Sequence, residues 1–324
     1  MEYISGRDNL AVTIYVPYDC PNNCPFCTSK KMYDEKKGSL YNICTAIGRL
    51  SNYYVPYKEV VITGGEPTAN IELLRKMVSY IPNGKRIFIN TTVLSKTYDE
   101  FVAYLLSPAG RRISGVNISR HAASYDEELN TLAHIVTDEQ IEFLAKIIPI
   151  RINCVLTPDT DKDAIISRWH GKNVEVSFRA DFTTIHTDEE LHSPYDKHAT
   201  ELANKYKYIG HTGCNVCDTL LFKNKNMSIR YHRGKEHTLI TNNQEIEFND
   251  IIIFPNGTIS LDWDDNEENQ NHAKNMMEHY YQYSWNRPSV SYDMSTFHGC
   301  GGSSSCGGYH VYYTSCGGTS GCGG

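Results

Sequence analysis

Segments typical of buried strands alternate with segments typical of helices over about the first 180 residues of the chain. The strand candidates are apolar and lie at residues 11–16, 59–63, 86–90, 115–118, 150–156 and 174–178. The helix candidates lie at residues 39–50, 71–80, 98–106, 137–145 and 161–169. Strands that alternate with helices predict a parallel sheet. We therefore expect an α/β fold built from six strand–helix steps.

Polar side chains follow the carboxyl ends of several of these strands. They are Asn90, Thr91, Thr92, Ser119, Arg120, His121, Asn153 and Arg179. Because ligands of parallel α/β sheets bind at this edge, each of these residues is a candidate ligand contact. A solvated loop side chain or a helix cap is an equally good interpretation of any single one. His121 is a candidate acid, base or substrate contact, although a lone histidine is more often none of these.

Three cysteines, Cys20, Cys24 and Cys27, lie within eight residues and closely follow the first strand candidate. Three prolines keep this segment out of helix and sheet, so the thiols are expected on a loop at a strand end. Three thiolates do not complete the four-ligand site of structural zinc. They do suit a cubane iron–sulfur cluster with one iron free for another ligand. A zinc knuckle or a chance cluster of cysteines is the alternative.

A second motif, Gly64-Gly65-Glu66-Pro67, directly follows the second strand candidate. Glycines at a strand end allow a ligand to approach the backbone closely. The cysteine spacing of three residues and then two, and the aromatic Phe26 before the last cysteine, resemble the first signature of the radical S-adenosylmethionine (SAM) superfamily. The glycine motif one strand–helix unit later resembles its second signature.

This resemblance implies a partial TIM-like (β/α)6 barrel over about residues 10–181, with a [4Fe–4S] cluster and SAM as cofactors. In that family three cysteines bind the cluster, SAM chelates the fourth iron, and the reduced cluster cleaves SAM to methionine and a 5′-deoxyadenosyl radical. The cluster ligands implied here are Cys20, Cys24 and Cys27. The implied SAM-binding residues are Phe26, Gly64, Gly65, Glu66, Asn90, Ser119, Arg120 and Asn153. Ser119 and Arg120 are the best of the polar candidates, because arginine suits bidentate binding of a carboxylate.

The chain of 324 residues is long enough for one large α/β domain and an appendage. We expect a core barrel at residues 1–181, a C-terminal extension at 182–297 and a Cys/Gly-rich tail at 298–324. The features predicted in the extension are a helix near 198–206, a β-hairpin at 250–263 that packs beside the barrel, and a last helix at 273–283.

The extension also contains a CxxC pair, Cys214 and Cys217. In a cytosolic chain such a pair is a metal half-site or a redox pair. No thioredoxin-like βαβ pattern surrounds it, which favours metal ligands. Residues 227–237 form a basic strand candidate. One interpretation is that this strand contacts a phosphate or an acidic substrate. The simpler interpretation is that its basic side chains form a solvated strand face.

The tail contains four Cys-Gly-Gly repeats that begin at Cys300, Cys306, Cys316 and Cys322. Glycine and serine fill most of the remainder, so we expect no packed core in this segment. Three interpretations stay open. The tail binds a second iron–sulfur cluster or another metal together with Cys214 and Cys217, it is a substrate-like peptide fused to the enzyme, or it is a flexible cover of the active site. The terminal Gly-Gly also resembles the radical SAM GTP cyclases, but their three clustered C-terminal cysteines are not found here.

The formal net charge of −7 argues against broad binding to nucleic acid or to an acidic membrane surface. The first residues are polar without an apolar signal core, and no apolar run approaches the roughly 18 residues that span a bilayer. We therefore expect a cytoplasmic protein. Its eleven cysteines are then expected to be metal ligands rather than disulfides.

Together these features predict a radical SAM enzyme that abstracts a hydrogen atom from a substrate. The cysteine-rich tail favours a peptide substrate, as in the maturation of ribosomally made peptides. A nucleotide-type substrate is the alternative within the same class, and a non-catalytic iron- or zinc-binding protein is the alternative outside it. The expected partner is a reductant such as flavodoxin or ferredoxin.

Overall fold

Most of the chain is described by a computed structural model. The described part covers residues 2–285, without 28, 31–32, 34–36, 158, 181–186, 188, 190–195, 215, 235–238 and 243. The predictions for the tail, including those for Cys300, Cys306, Cys316 and Cys322, lie outside the described residues.

The strands of the described residues form two sheets. In chain order they are β1 (Glu2–Ser5), β2 (Ala11–Tyr15), β3 (Glu59–Thr63), β4 (Arg86–Thr91), β5 (Ile113–Ser119), β6 (Ile150–Leu156), β7 (Glu175–Ala180), β8 (Lys207–Cys214), β9 (Cys217–Asn224), β10 (Met227–Gly234), β11 (Leu239–Thr241), β12 (Glu245–Phe248), β13 (Asp250–Ile253) and β14 (Ile259–Ser260). The large sheet has the order β14-β13-β2-β3-β4-β5-β6-β7-β10-β9-β8, and the small sheet has the order β1-β12-β11.

The centre of the large sheet is parallel, from β13 through β2 to β7 and on to β10. At its edges β14 pairs antiparallel with β13, β9 pairs antiparallel with β10, and β8 pairs antiparallel with β9. The six predicted strands are confirmed as β2 to β7, and their sequential order in the sheet is that of repeated strand–helix units. The sheet has two free edges, so the predicted α/β fold is an open, partial barrel.

The helices of the described residues connect and flank these strands. In chain order they are α1 (Leu40–Asn52), α2 (Ile71–Tyr80), α3 (Tyr98–Leu106), α4 (Tyr125–Glu128), α5 (Asp138–Leu144), α6 (Lys162–Trp169), α7 (Lys197–Lys205) and α8 (Glu267–Trp285). The five helices predicted between the strands are confirmed. The side chain of Ser39 caps α1, and Thr137 forms a capping box with Gln140 at the start of α5.

The two faces of the central strands differ in chemistry. Val12 and Ile14 of β2 belong to one hydrophobic cluster with Ile43 and Ile47 of α1. Residues at the alternate positions face the inside of the partial barrel, and several of these are polar. Asn90 and Asn117 are register partners on β4 and β5, and the amide nitrogen of Asn117 donates to the amide oxygen of Asn90 at 2.7 Å. The fold therefore has an apolar outer layer and a polar inner surface.

The C-terminal extension contributes strands to the sheet itself. The predicted hairpin is present as β13 and β14, but the expectation that it packs beside the barrel is wrong. Strand β13 pairs in parallel with β2, so it continues the sheet. Ile251 and Ile253 pack into the main core, while Ile252 packs with Tyr15 and Phe254. Both faces of β13 are thus covered, which is the environment of a strand within a layered α/β sheet.

The two helices predicted in the extension are confirmed with changed bounds. The helix expected near residues 198–206 is α7, and the last helix, α8, is longer than predicted at both ends. The basic segment is strand β10, which pairs in parallel with β7 and antiparallel with β9.

Candidate functional site

A cavity opens at the carboxyl ends of the parallel strands. Its lining includes the predicted cluster ligands Cys20, Cys24 and Cys27 together with Phe26 and the segment Gly64, Gly65 and Glu66. Asn90, Ser119 and Asn153, which follow successive strands, line the same cavity, as do Thr91, Thr92, His121 and Arg179. Arg120 does not line it. The structure thus brings together every other residue that the sequence predicts for the cluster and for SAM.

The cysteine loop is anchored by a residue that sequence reasoning missed. Asn22 lies between the first two cysteines and is buried. Its side-chain nitrogen donates to Oγ1 of Thr92 at 3.2 Å, and its side-chain oxygen accepts from the backbone N–H of Ala133 at 2.7 Å. These bonds fix the loop to the end of β4. An asparagine inside a proline-rich metal loop is the signal that could have pointed to this anchor.

The three thiols are free, and two of them lie in a poorly solvated environment. Burial raises the pKa of the Cys20 thiol to about 12 and the pKa of the Cys24 thiol to about 11. Cys27 is more exposed than either. In the absence of metal the first two thiols are therefore neutral, and metal binding has to release their protons.

The donor set suits a cluster better than a single ion. Within the described part of the chain, no group of three or more His, Cys, Asp or Glu residues is arranged to hold one metal ion. A cubane cluster places each thiolate on a different iron atom, so its cysteines do not need to converge on one point. Three cysteines on one loop, facing one cavity, fit that requirement.

The two glycines of the second motif are required by their conformation and surroundings. Gly64 and Gly65 have φ angles of +68° and +49°, which disfavour residues with a side chain. A Cβ atom on Gly64 would collide with the ring of Tyr15, and one on Gly65 would collide with the backbone oxygen of Tyr18. The segment therefore lies close against the first strand and its loop, and leaves its backbone open to the cavity.

Glu66 connects the ends of two neighbouring strands. Its Oε1 atom accepts from the backbone N–H of Thr68 at 2.9 Å and from the hydroxyls of Thr68 and Thr91. Its Oε2 atom accepts from the backbone N–H of Thr92 at 2.7 Å and from the Thr92 hydroxyl at 2.6 Å. With five donors on a buried carboxylate, Glu66 positions the rim of the cavity.

Arg120 has a different position from the one expected of a carboxylate-binding residue. It is fully buried, and its guanidinium donates to the carbonyl oxygens of Thr92, Ser119 and Val136 at 2.9, 2.6 and 3.0 Å. Of the residues that carry these carbonyls, Thr92 and Ser119 line the cavity and Val136 does not. Arg120 therefore joins the rim segments from behind, and Ser119 is the member of this pair that faces the cavity.

His121 is a neutral positioning residue in this structure. Burial, with a smaller effect from the charge of Arg120, lowers its pKa to about 3. Its Nδ1 atom accepts from the backbone N–H of Val155 at 3.1 Å, and its ring packs edge-on against Phe26 at a centroid distance of 4.4 Å. An acid role near neutral pH is thus disfavoured. The contact instead fixes the aromatic residue next to Cys27.

A buried ion-pair network holds the segment that carries His121. Glu128 accepts from the backbone N–H groups of His121 and Ala122 at 2.7 and 3.1 Å, and from Nη1 of Arg168 at 2.9 Å. Arg168 also donates to Oδ1 of Asp138 at 2.7 Å. Sequence reasoning missed this network, because its members are far apart along the chain and no local motif marks them.

Replacing Arg168 with methionine is expected to lower the free energy of unfolding by about 3–5 kcal/mol. The side chains of Arg168 and Glu128 are 4% and 0% exposed, so the substitution leaves a buried carboxylate without its cation. Urea unfolding followed by circular dichroism measures the change. Lys76→Met is the matched control, because Lys76 pairs with Glu72 on an exposed helix face, and we expect a loss below about 1 kcal/mol there. Equal effects of the two substitutions would contradict the prediction.

The CxxC pair lies apart from the cavity, where β8 turns into β9. Cys214 and Cys217 are register partners on the two strands, and their sulfur atoms are 2.9 Å apart. The pKa of the Cys214 thiol is lowered to about 5 by its hydrogen bond with Cys217 and by the nearby charge of Arg7. No described His, Cys, Asp or Glu completes a three-ligand metal group with this pair.

Over its described residues, Met227–Gly234, the basic strand is mostly buried and does not present a solvated face, which contradicts that interpretation for this part of the segment. Arg233 is fully buried and pairs with Asp196 at 3.1 Å and with Asp218 at 2.6 Å. Arg230 pairs with Glu175 at 2.5 Å on the inner side of the barrel. Both charges are compensated by carboxylates of the chain. The rest of the predicted segment, residues 235–237, lies outside the described residues.

The helices that the structure describes include none with the length and apolar character needed to cross a membrane.

Comparison with protein-family models matches residues 14–165 to the model described as the Radical SAM superfamily. This segment contains the cysteine loop, the glycine motif and strands β3 to β6. No curated protein matches the chain at a significant level.

Solved structures with a similar fold include SuiB from Streptococcus suis. That match has a TM-score of 0.51 and 14% sequence identity, and covers 84% of this chain and 65% of that chain. A structure of SuiB bound to S-adenosylmethionine matches with a TM-score of 0.43 and 15% identity, covering 60% and 44%. The FeFe-hydrogenase maturase HydG from Carboxydothermus hydrogenoformans matches with a TM-score of 0.38 and 15% identity, covering 55% and 46%. The chain thus corresponds to about half to two thirds of the length of these solved chains.

Proposed function

We propose that this protein reductively cleaves SAM at a [4Fe–4S] cluster and abstracts a hydrogen atom from a peptide substrate, because residues 14–165 match the family model of the radical SAM superfamily. The observation that carries the proposal is the shared cavity. Cys20, Cys24 and Cys27 line it together with Gly64 and Gly65, whose backbone is open to a ligand. A cluster bound by the loop would therefore lie next to the proposed SAM site.

When bound, a [4Fe–4S] cluster would supply the electron for the reductive cleavage of SAM. The chain provides the site for this reaction. Cys20, Cys24 and Cys27 are the proposed ligands, and Asn22 holds their loop in place. The backbone of the glycine segment and the polar groups of Asn90, Ser119 and Asn153 are the proposed contacts of SAM.

An aromatic wall next to the cavity is suited to excluding water from a radical. The ring of Tyr15 packs against Gly64, and it stacks on Phe254 with a centroid distance of 5.9 Å. Trp263 meets the same ring edge-on at 6.2 Å. These side chains come from β2 and from the segment around β14, so the C-terminal extension takes part in shielding the site.

A peptide is the substrate class that the chain favours. The support comes from the four Cys-Gly-Gly repeats, whose glycine and cysteine residues offer the kind of hydrogen atoms that a carbon radical abstracts. The nucleotide alternative rested partly on the basic strand. Because Arg230 and Arg233 are paired with carboxylates, this strand gives that alternative no support.

The proposal is tested by an anaerobic assay of the full-length protein. The protein is reconstituted with iron and sulfide, reduced with dithionite or with flavodoxin, and given SAM. We expect about four iron atoms per chain and release of 5′-deoxyadenosine. A protein that binds zinc in place of iron and leaves SAM intact with every reductant would overturn the proposal and favour a metal-binding protein.

The substrate class is tested in the same reaction with labelled protein. Full-length protein is made by cell-free synthesis with glycine deuterated at Cα or with cysteine deuterated at Cβ. If the tail is a substrate, deuterium is expected in the 5′-deoxyadenosine of one labelled sample. A synthetic peptide of residues 298–324, added to unlabelled protein, tests the same sequence as a separate substrate. Deuterium-free product from both labelled samples would exclude glycine Cα and cysteine Cβ, including those of the tail, as the sites of hydrogen abstraction.

A further inference from the structure

We propose that Cys214 and Cys217 are a redox-active dithiol, which is reversibly oxidised by thiol–disulfide exchange with small-molecule disulfides of the glutathione type. In this reaction Cys214 is the attacking thiol and Cys217 is the resolving thiol. The proposal does not depend on the chemistry of the SAM cavity, since the pair lies on strands β8 and β9 and outside the lining of that cavity.

The backbone already holds the two cysteines at a distance that suits a disulfide. Cys214 and Cys217 are partners in the antiparallel β8–β9 ladder. Directly opposed residues in such ladders have Cα atoms about 4.5–5.5 Å apart, within the range of about 4.4–6.8 Å found in disulfides. The sulfur atoms are 2.9 Å apart, so a small side-chain movement would allow bonding.

The two thiols differ in access in the way that sequential exchange requires. Cys217 is buried, and it packs in a small cluster with Val216 and Ile240. Cys214 is partly exposed at the end of β8. A small disulfide can therefore reach the sulfur of Cys214 first. The buried Cys217 can then attack the mixed disulfide that forms on Cys214.

A fixed cation beside the sulfurs favours a dithiol over a metal site. Nη2 of Arg7 donates to the sulfur of Cys217 at 3.1 Å, while Nη1 of Arg7 bonds to Oδ1 of Asp250 at 3.2 Å. A guanidinium in this position stabilises the thiolate form of the pair, so a larger fraction is present as the reactive species. It also repels a second cation from the same sulfur, which opposes the metal half-site that the CxxC spacing suggested.

The exchange is balanced in two steps. The Cys214 thiolate attacks one sulfur of the small disulfide, a new S–S bond forms, and one small thiolate leaves. The Cys217 thiol then gives its proton to that thiolate, and the resulting Cys217 thiolate attacks the sulfur of Cys214. This releases the second small molecule as a thiolate, which takes a proton from water. The protein dithiol is oxidised by two electrons and the small disulfide is reduced by two electrons.

The experiment uses the full-length, cluster-loaded protein and glutathione disulfide as the probe. After incubation, free thiols are blocked with N-ethylmaleimide and the protein is digested with trypsin. The peptide of residues 208–223 contains Cys214 and Cys217 and no other cysteine, so its mass reports on this pair alone. We expect this peptide to become lighter by two hydrogen atoms, to resist N-ethylmaleimide, and to return to the dithiol form with dithiothreitol.

Single substitutions distinguish the two thiols. Cys217→Ser is expected to stop the reaction at the mixed disulfide, with glutathione attached to Cys214. Cys214→Ser is expected to give no adduct, because the remaining thiol is buried. Cys44→Ser, which changes a buried cysteine of α1, is the control and should leave the oxidation of peptide 208–223 unchanged.

Two results would overturn the proposal. One is full alkylation of both cysteines after prolonged exposure to glutathione disulfide, which would show that they do not form a disulfide. The other is a loss of bound iron or zinc in Cys214→Ser relative to Cys44→Ser, measured by metal analysis. That loss would make the pair a metal half-site.

Discussion

Alanine in place of Cys24 is expected to abolish the formation of 5′-deoxyadenosine and to lower bound iron from about four atoms per chain to a small residual amount. Cys24 lies in the middle of the three-cysteine loop and lines the cavity with the other two cysteines. Its loss leaves two thiolates, and the chain offers no described His, Asp or Glu that would form a three-residue metal group with them. Iron and sulfide analysis, visible absorption and product chromatography measure the result.

A second cysteine substitution controls for the loss of a buried thiol. Cys44 is buried in α1 and is not part of the cavity lining. Cys44→Ala should keep the iron content and the activity of the unsubstituted protein, apart from a modest loss of stability. Cys20→Ala and Cys27→Ala should behave like Cys24→Ala. If all three loop variants kept their iron and still cleaved SAM, the assignment of this loop would be wrong.

Glutamine in place of Glu66 is expected to lower the free energy of unfolding by about 2–4 kcal/mol and to weaken SAM binding. Each of the two carboxylate oxygens accepts hydrogen bonds from at least one backbone N–H and one hydroxyl. A neutral amide presents an –NH2 donor to one of these donor groups, so at least one buried N–H loses its acceptor. The ends of β3 and β4 then lose their shared anchor at the cavity rim.

Urea unfolding measures the stability of the Glu66→Gln variant, and calorimetric titration with SAM measures its affinity. Glu72→Gln is the matched control. Glu72 lies on the exposed face of α2 and pairs with Lys76, so this substitution should cost less than about 1 kcal/mol and leave SAM binding unchanged. An unchanged affinity for SAM in Glu66→Gln would mean that the anchor does not shape the site.

The parts of the fold that the sequence predicted are those with local signals. The alternation of apolar strands with capped helices predicted β2 to β7 and the five helices between them, and the structure confirms each one. The place of β13 could not be predicted in this way. Its four residues resemble a surface hairpin in sequence, and their pairing with β2 depends on a segment near the opposite end of the chain.

The candidate site shows the same distinction between local motifs and distant contacts. The cysteine loop and the glycine motif are contiguous, and the cavity contains both as predicted. The side chain of Arg120 does not line the cavity as the sequence suggested. A position next to a strand end does not determine the direction in which a long side chain points. Three backbone carbonyls behind the rim accept its hydrogen bonds. The Glu128–Arg168 network was beyond prediction, since only the folded chain brings these residues together.

The pairing of β13 with β2 also has a consequence for synthesis of the protein. During translation β2 leaves the ribosome long before β13, so its second neighbour becomes available only after residue 253 has emerged. Until then one edge of an apolar strand exposes unpaired backbone groups, which can pair with another nascent chain. Contacts between such distant segments also slow folding. We therefore expect nascent chains that end before β13 to need a chaperone, whereas the completed chain covers this edge with its own strand.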